Sequence, residues 1–452
     1  MKKLIEKMST ALNVRMESYV PDSFIFAIIL TLFVYIMGIL IAGKGPFQMI
    51  NFWYGGFWNF LTFSMQMLLI LVTGFAIATT PVGERFLAFL GRIPKSSLSA
   101  VIFTTLVSGV LAYIHWGIGL IGSALLAREV ARNSKKIDFK LMVAAVYVGW
   151  NIGSMGISGS EPLLVNTPGH FLEKQIGLIP MSQTVLSSMI LLPHLISLLV
   201  VLPIFWWMLH PEEKDLTPMD PKIRERFETE SQLVKIAVPG SDKRTFADML
   251  ENTPLLNIAL ALMGFSYLIY WFANKGFDLN LNIFNFLMLI LSIILHWTPK
   301  RFYTAFAEGV RVSWGIPLQF PFYAGIQGMM AGSGLVAIIA GWFIAISNPS
   351  TFHIFNYLST AIVNFFIPSS GGIFIVQGPI MVKAGQALGV SNGAIVNAFM
   401  AGEVIGNIVQ PFWAIPLLSI AGLKMKDIMG FCLLSFAILS IVYIVCFSLV
   451  RV

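Results

Sequence analysis

The sequence predicts an all-α polytopic membrane protein made of two inverted repeats, each with a re-entrant hairpin and an interrupted helix. Three observations predict it. Of 452 residues, 57% are apolar and only 11% charged, where soluble chains average about 25% charged. The charge is also concentrated: residues 210–252 hold 7 Lys/Arg and 10 Asp/Glu of the chain's 29 and 22. Finally, one pattern of apolar arm, Gly/Pro-rich break and clean apolar run occurs once on either side of that charged stretch. These features exclude a cytosolic enzyme, a disordered chain and a nucleic-acid binder, and the net charge of +7 reads as positive-inside topology.

The elements follow in chain order. Residues 1–21 place Leu4, Met8 and Leu12 among Lys2, Lys3, Lys7 and Arg15, the pattern of an interfacial amphipathic helix. Residues 22–209 form a first membrane repeat, 210–252 a cytoplasmic linker, and 253–452 a second repeat. Apolar runs near 22–43, 57–80, 139–165, 183–209, 253–273, 279–297, 392–416 and 428–450 are long enough to cross hydrocarbon. Cys432 and Cys446 share the last run; 14 residues of helix separate them by about 21 Å, too far for a disulfide.

Residues 96–131 differ, because basic clusters flank them on both sides (Arg85, Arg92, Lys95; then Arg128, Arg132, Lys135, Lys136). Both ends should therefore lie on one face, with a hairpin tip near Trp116–Gly117. Glu129, at the basic end, is expected to pair with Arg128 or Arg132. Residues 351–388 repeat the design, with a tip at Pro368-Ser369-Ser370-Gly371-Gly372. The segment 312–347 is too long for one crossing and short for two; a single crossing with an interfacial piece near Gly332–Gly334 makes the second hairpin open outside and the two halves inverted repeats.

Main chain uncoiled at membrane depth costs several kcal/mol per unsatisfied group, and paired interruptions in matching halves mark the site of a secondary transporter. The substrate layer is accordingly placed at Trp116, Gly117, Asn151, Ser154 and Ser158 in the first half. In the second it takes Ser369, Ser370, Gly371, Gly372, Asn407, Gln410 and Pro411. Coupling to Na⁺ or H⁺ falls to His115, Asn151, Asn364 and Glu403; no other metal or cofactor is expected. Glu161 is expected near the outer mouth and exposed, and His194 packed within its helix. No Lys or Arg adjoins either tip, which favours a small monoanion over a dicarboxylate, with Trp116, Trp150, Phe365, Phe366, Phe374 and Trp413 as an apolar wall. A channel and an intramembrane serine protease using Ser158, within Gly156-Ile157-Ser158-Gly159 and with His170 or His194 as base, are the rival classes.

Several stretches resemble the bacterial short-chain fatty acid transporter family of the ion transporter superfamily. They are Gln319-Phe320-Pro321-Phe322-Tyr323-Ala324-Gly325-Ile326-Gln327, Val376-Gln377-Gly378-Pro379, Gln410-Pro411-Phe412-Trp413-Ala414, Ala421-Gly422-Leu423 and Asp427-Ile428-Met429-Gly430. In the first half, Trp116-Gly117-x-Gly119 and Ala127-Arg128-Glu129-Val130-Ala131-Arg132 match as well. The chain departs from that pattern at His115, Glu161, Ser370 and Ile373-Phe374. The resemblance implies a homodimeric elevator with scaffold and transport domains in the cytoplasmic membrane. It also implies uptake of butyrate-like monocarboxylates driven by a cation gradient, with a dicarboxylate carrier as the nearest alternative.

Overall fold

The computed structural model describes residues 23–134, 136–225 and 245–449, so the helix expected at 1–21 and the middle of the charged linker lie outside the described residues. Among the described residues the only regular secondary structure is helical. The first half runs α1 (Ser23–Leu40), α2 (Pro46–Phe57), α3 (Leu61–Ala78), α4 (Pro81–Leu90), α5 (Ser97–Ile114), α6 (Trp116–Asn133), α7 (Phe139–Gly153), α8 (Ser160–Val165) and α9 (Ser188–Leu209). After the short α10 (Phe246–Asn252), the second half runs α11 (Leu255–Lys275), α12 (Leu281–Leu295), α13 (Pro299–Val312), α14 (Gly315–Ser333) and α15 (Leu335–Ile346). It ends with α16 (Phe352–Asn364), α17 (Ser370–Ala387), α18 (Asn392–Asn407), α19 (Pro411–Ala421) and α20 (Met425–Leu449).

Each of the eight apolar runs contains helix, and the segment 312–347 forms two helices, α14 and α15, with a bend of 79° between them. It falls at Gly334, whose φ of 87° is a left-handed conformation open to glycine at little steric cost. The short helices α2, α4, α10 and α13 were not read from the sequence. Of these, α2 lies directly on α14, where a Cβ on Gly56 would come within 2.7 Å of the Gly328 Cα. Glu129 does pair with Arg132 at 2.9 Å and with Arg128 at 3.8 Å, and both cysteines are buried free thiols.

The hairpins α5–α6 and α16–α17 are re-entrant, because their tips end inside protein. His115, Trp116, Ile367 and Pro368 are all buried, whereas the tip of a pair of full crossings would emerge at the far surface. In each half the first hairpin arm packs on the helix before the break through a four-residue glycine spacing. Added Cβ atoms on Gly149 and Gly153 of α7 would meet the carbonyls of Thr105 and Gly109 on α5; those on Gly402 and Gly406 of α18 would meet Tyr357 and Ala361 on α16. The same seam built twice is the structural signature of the repeat.

Contacts at the helix ends establish that the repeats are inverted. The first hairpin opens where Arg224 donates to the Ala131 carbonyl at 2.8 Å and Lys136 meets Glu213 at 2.8 Å. From that face α7 and α8 traverse to the loop at 166–187. There Gln386 and Asn392, at the open end of the second hairpin, donate to the carbonyls of Gln175 and Ile176. The second hairpin therefore enters from the opposite face. Lys140 at the start of α7 and Asp427 at the start of α20, 2.8 Å apart, return the second half to the first face.

Candidate functional site

The first helix break is closed by its own hairpin. Chain leaves α7 at Ser154 and re-enters helix at Ser160, and in between the Ile157 amide donates to the Tyr113 carbonyl at 2.9 Å. Ser158 Oγ accepts from the Trp116 amide at 2.8 Å, and the Trp150 indole donates to the Trp116 carbonyl at 2.8 Å. His115 occupies the tip itself, its Nδ1 accepting from the amides of Gly117 and Ile118 at 3.1 and 3.3 Å while its carbonyl accepts from Gly119. The amides of Trp116, Gly117 and Ile118, which α6 leaves without internal acceptors, are thereby taken.

The second break is closed from both halves. The α18–α19 pair bends by 45°. Tyr147 of α7, fully buried, donates its hydroxyl to the carbonyl of Asn407 at 2.7 Å and shares it with Gln410 at 3.1 Å. Gln410 caps α19 by accepting from the Phe412 amide at 2.7 Å. Asn407 donates to Glu403 Oε1 at 2.6 Å and accepts from Asn364 at 2.8 Å, which also reaches the Glu403 carbonyl at 3.1 Å. At the second tip, Ser369 Oγ accepts from the Gly372 amide at 3.3 Å and its carbonyl from Ile373. Among the described residues, the amides of Ser370 and Gly371 find no acceptor.

Between these four features lies one cavity of about 690 Å³. Trp116 of the first tip and Ser369, Ser370 and Gly371 of the second line it, together with Ser154, Ser160 and Glu161 of the first break and Glu403 and Asn407 of the second. Trp150, Leu120, Phe320, Met400 and Trp413 form its apolar wall, with the Trp116 and Trp413 rings edge-on at 5.5 Å. Ile415, Pro416 and Ser419 of α19 and Glu308 and Arg311 of α13 border the mouth, which thus opens on the face where the first hairpin enters. Across the cavity Ser370 Oγ donates to Glu161 Oε1 at 2.6 Å, joining the second tip to the first break.

The profile of the family described as "Short chain fatty acid transporter" matches residues 4–450. The chain belongs to the short-chain fatty acid transporter family. An Escherichia coli K12 relative is 37% identical over 443 residues, covering 98% of this chain and 99% of its own. A Haemophilus influenzae Rd relative is 37% identical over 450 residues, covering 98% and 99%. Both names assign those proteins, provisionally, to short-chain fatty acid transport. Two solved structures share the fold. The Alcanivorax borkumensis YdaH transporter has a TM-score of 0.55 at 12% identity over 94% of this chain and 98% of that one. Neisseria gonorrhoeae MtrF, whose report describes a class of antimetabolite efflux pumps, has a TM-score of 0.51 at 14% identity, covering 95% of each.

This transporter's sequence-predicted residues divide between the cavity wall and the layer behind it. Trp116, Ser154, Ser369, Ser370, Gly371, Asn407 and Glu403 line the cavity. Asn151, Ser158, Asn364, Gln410 and His115 lie buried behind it: Asn151 donates to the Tyr147 carbonyl within α7, and the other four hydrogen-bond at the breaks and tips. Gly117 sits against the His115 ring and Gly372 against Tyr323, while Pro411 supplies the first residue of α19. The protease reading is overturned by the family and by Ser158, whose hydroxyl is engaged at the tip. His170 bonds the Gly177 carbonyl at 3.0 Å, and the His194 ring packs edge-on against Tyr113 at 5.3 Å.

Glu161 corrects the expectation of exposure. It is 1% exposed because the first break folds inward under the second tip, and its hydrogen-bond partner stands 209 residues away. Arg311 is a further lining residue that sequence reasoning missed. It lies on α13, far in sequence from both tips, and is ion-paired at 3.8 Å with Glu308. The signal available was the amphipathic pattern of residues 299–312.

Proposed function

We propose that the protein is a secondary active carrier of short-chain monocarboxylates, driven by a cation gradient and working as a homodimeric elevator in the cytoplasmic membrane. The observation that carries this reading is the meeting of both hairpin tips and both helix breaks at one cavity. There, two open amides and the hydroxyls of Ser369 and Ser370 sit opposite an apolar wall. A helix N-terminus favours an anion, and the amides of Ser370 and Gly371 suit a single carboxylate. The wall of Trp116, Trp150 and Trp413 suits a short alkyl chain. A second carboxylate would have to be desolvated against those rings with no cation nearer than the mouth, which weighs against dicarboxylates.

The cavity opens on the face bearing Arg128, Arg132, Lys136, Lys140 and Lys424. We assign that face to the cytoplasm by the positive-inside rule, so the conformation is inward-open. Inversion of the repeats supplies the opposite state by exchanging the roles of the two hairpins. The test is uptake of labelled C2–C6 acids into proteoliposomes under separate sodium and proton gradients. The pH is kept far above the acids' own pKa, so that non-ionic permeation is slow. Saturable uptake, inhibited by butyrate and not by succinate, is expected. Uptake inhibited by succinate alone, or unsaturable flux, would overturn the proposal.

A further inference from the structure

We infer that Glu161 is an internal carboxylate that occupies the substrate's place at the second hairpin tip, and that a substrate anion binds there once Glu161 has taken up a proton. The inference rests on the carrier reading above and names its coupling group. The observation behind it is the bond from Ser370 Oγ to Glu161 Oε1 at 2.6 Å. It puts a carboxylate of the first repeat against the helix end whose open amides would receive the substrate's carboxylate. The break is closed without the Glu161 carboxylate, by Tyr113, Trp116 and Ser158.

Charge balance points the same way. Glu161 and Glu403, 1% and 3% exposed, line one cavity, and a third anion entering beside them must be matched by a positive charge. The elements packed on α8 supply none at the tip. Helix α12 has no titratable residue, α17 carries an exposed Lys383 thirteen residues beyond Ser370, and α18 brings Glu403. From α13, Arg311 and Glu308 face the mouth and pair with each other. Glu403 already accepts from Asn407 at 2.6 Å, inside its own helix, and does not touch the tip.

The sequence of events is then simple. A proton from solvent binds the Glu161 carboxylate, which ceases to hold Ser370 as an anionic acceptor. The freed Ser370 hydroxyl and the amides of Ser370 and Gly371 receive the substrate carboxylate. Proton and anion cross together, and release of the anion lets Glu161 lose its proton and return to Ser370. One proton accompanies one carboxylate.

Calorimetric titration of butyrate into the detergent-solubilised full chain, in buffers of different ionisation enthalpy between about pH 6 and pH 8, tests this. In the wild type the Kd should rise about tenfold per pH unit in the upper part of that range, with about one proton taken up per butyrate bound. Glu161→Gln, which keeps an acceptor for Ser370, should bind with a flat pH profile and no proton uptake, while Glu403→Gln should keep the slope. Wild-type binding without slope or proton uptake overturns the inference whatever the variants do, as does a slope that survives in Glu161→Gln or vanishes only in Glu403→Gln. Failure of the wild type to bind any C2–C6 monocarboxylate at any pH overturns the substrate reading and this inference with it.

Discussion

Replacing Tyr147 with Phe probes how one repeat holds the break of the other. The ring stays, stacked 5.8 Å from Trp150, and a single oxygen is lost. That oxygen donates at 2.7 Å to the Asn407 carbonyl and at 3.1 Å to that of Gln410. Asn407 keeps a longer turn bond from the Gln410 amide at 3.2 Å, so the loss amounts to about one buried hydrogen bond with an acceptor left short, about 2 kcal/mol. If the ordered break is the binding-competent state, Tyr147→Phe should weaken butyrate binding by up to about thirtyfold, the same free energy expressed as a population, and lower the thermal midpoint in detergent. Tyr443→Phe is the control: it is equally buried, but its hydroxyl meets only the Met155 sulfur, at 3.5 Å, and removing it should cost less than about 0.5 kcal/mol. Equal effects of the two substitutions, or a Tyr147→Phe protein with wild-type stability and affinity, would refute the reasoning.

Four further outcomes are expected. Gly156→Ala would place a Cβ 2.2 Å from the Tyr113 carbonyl oxygen, forcing the first break off its hairpin at a cost of about 1–3 kcal/mol; thermal unfolding should show it, while Gly341→Ala, in open space, should show no loss. Ser370→Leu should abolish uptake at unchanged membrane expression, read by labelled-acid transport. Arg311→Gln should raise KM a few-fold, most at low ionic strength, because an exposed charge at the mouth steers an anion without holding it. Lys140→Ala breaks a half-exposed pair with Asp427 and should change the midpoint by no more than about 1 kcal/mol allows.

The tips and breaks were legible because each interrupts an apolar run with Gly, Pro, Ser or Asn, which are costly in a lipid-facing helix and so stand out locally. Inversion was legible from counting crossings between basic clusters. Burial of Glu161 was not, since a carboxylate before Pro162 looks like a loop residue until the chain that covers it, at Ser370, is folded back across the other repeat. The split between lining and supporting residues was equally hidden. Asn151 and Asn407 look alike in sequence; only Asn407, one turn from Glu403 on α18, reaches the cavity. Helix α2 escaped notice because its packing signal, Gly56 against Gly328, is a long-range contact between two unremarkable glycines.

Equivalence of the repeats in topology does not extend to their chemistry, and the difference decides where an anion can sit. In the first half, Ser158 and His115 consume every open amide at the start of α6, so that tip is a finished surface presenting Trp116. In the second half, Ser369 takes the Gly372 amide, the amides of Ser370 and Gly371 stay open, and the side chain of Glu161 brought over from the first half meets the Ser370 hydroxyl. The finished tip can serve as a rigid wall through a conformational cycle; the unfinished one changes partners. A substrate carboxylate competing for the second tip must therefore displace Glu161 from Ser370, the hydrogen bond that joins the two repeats across the cavity.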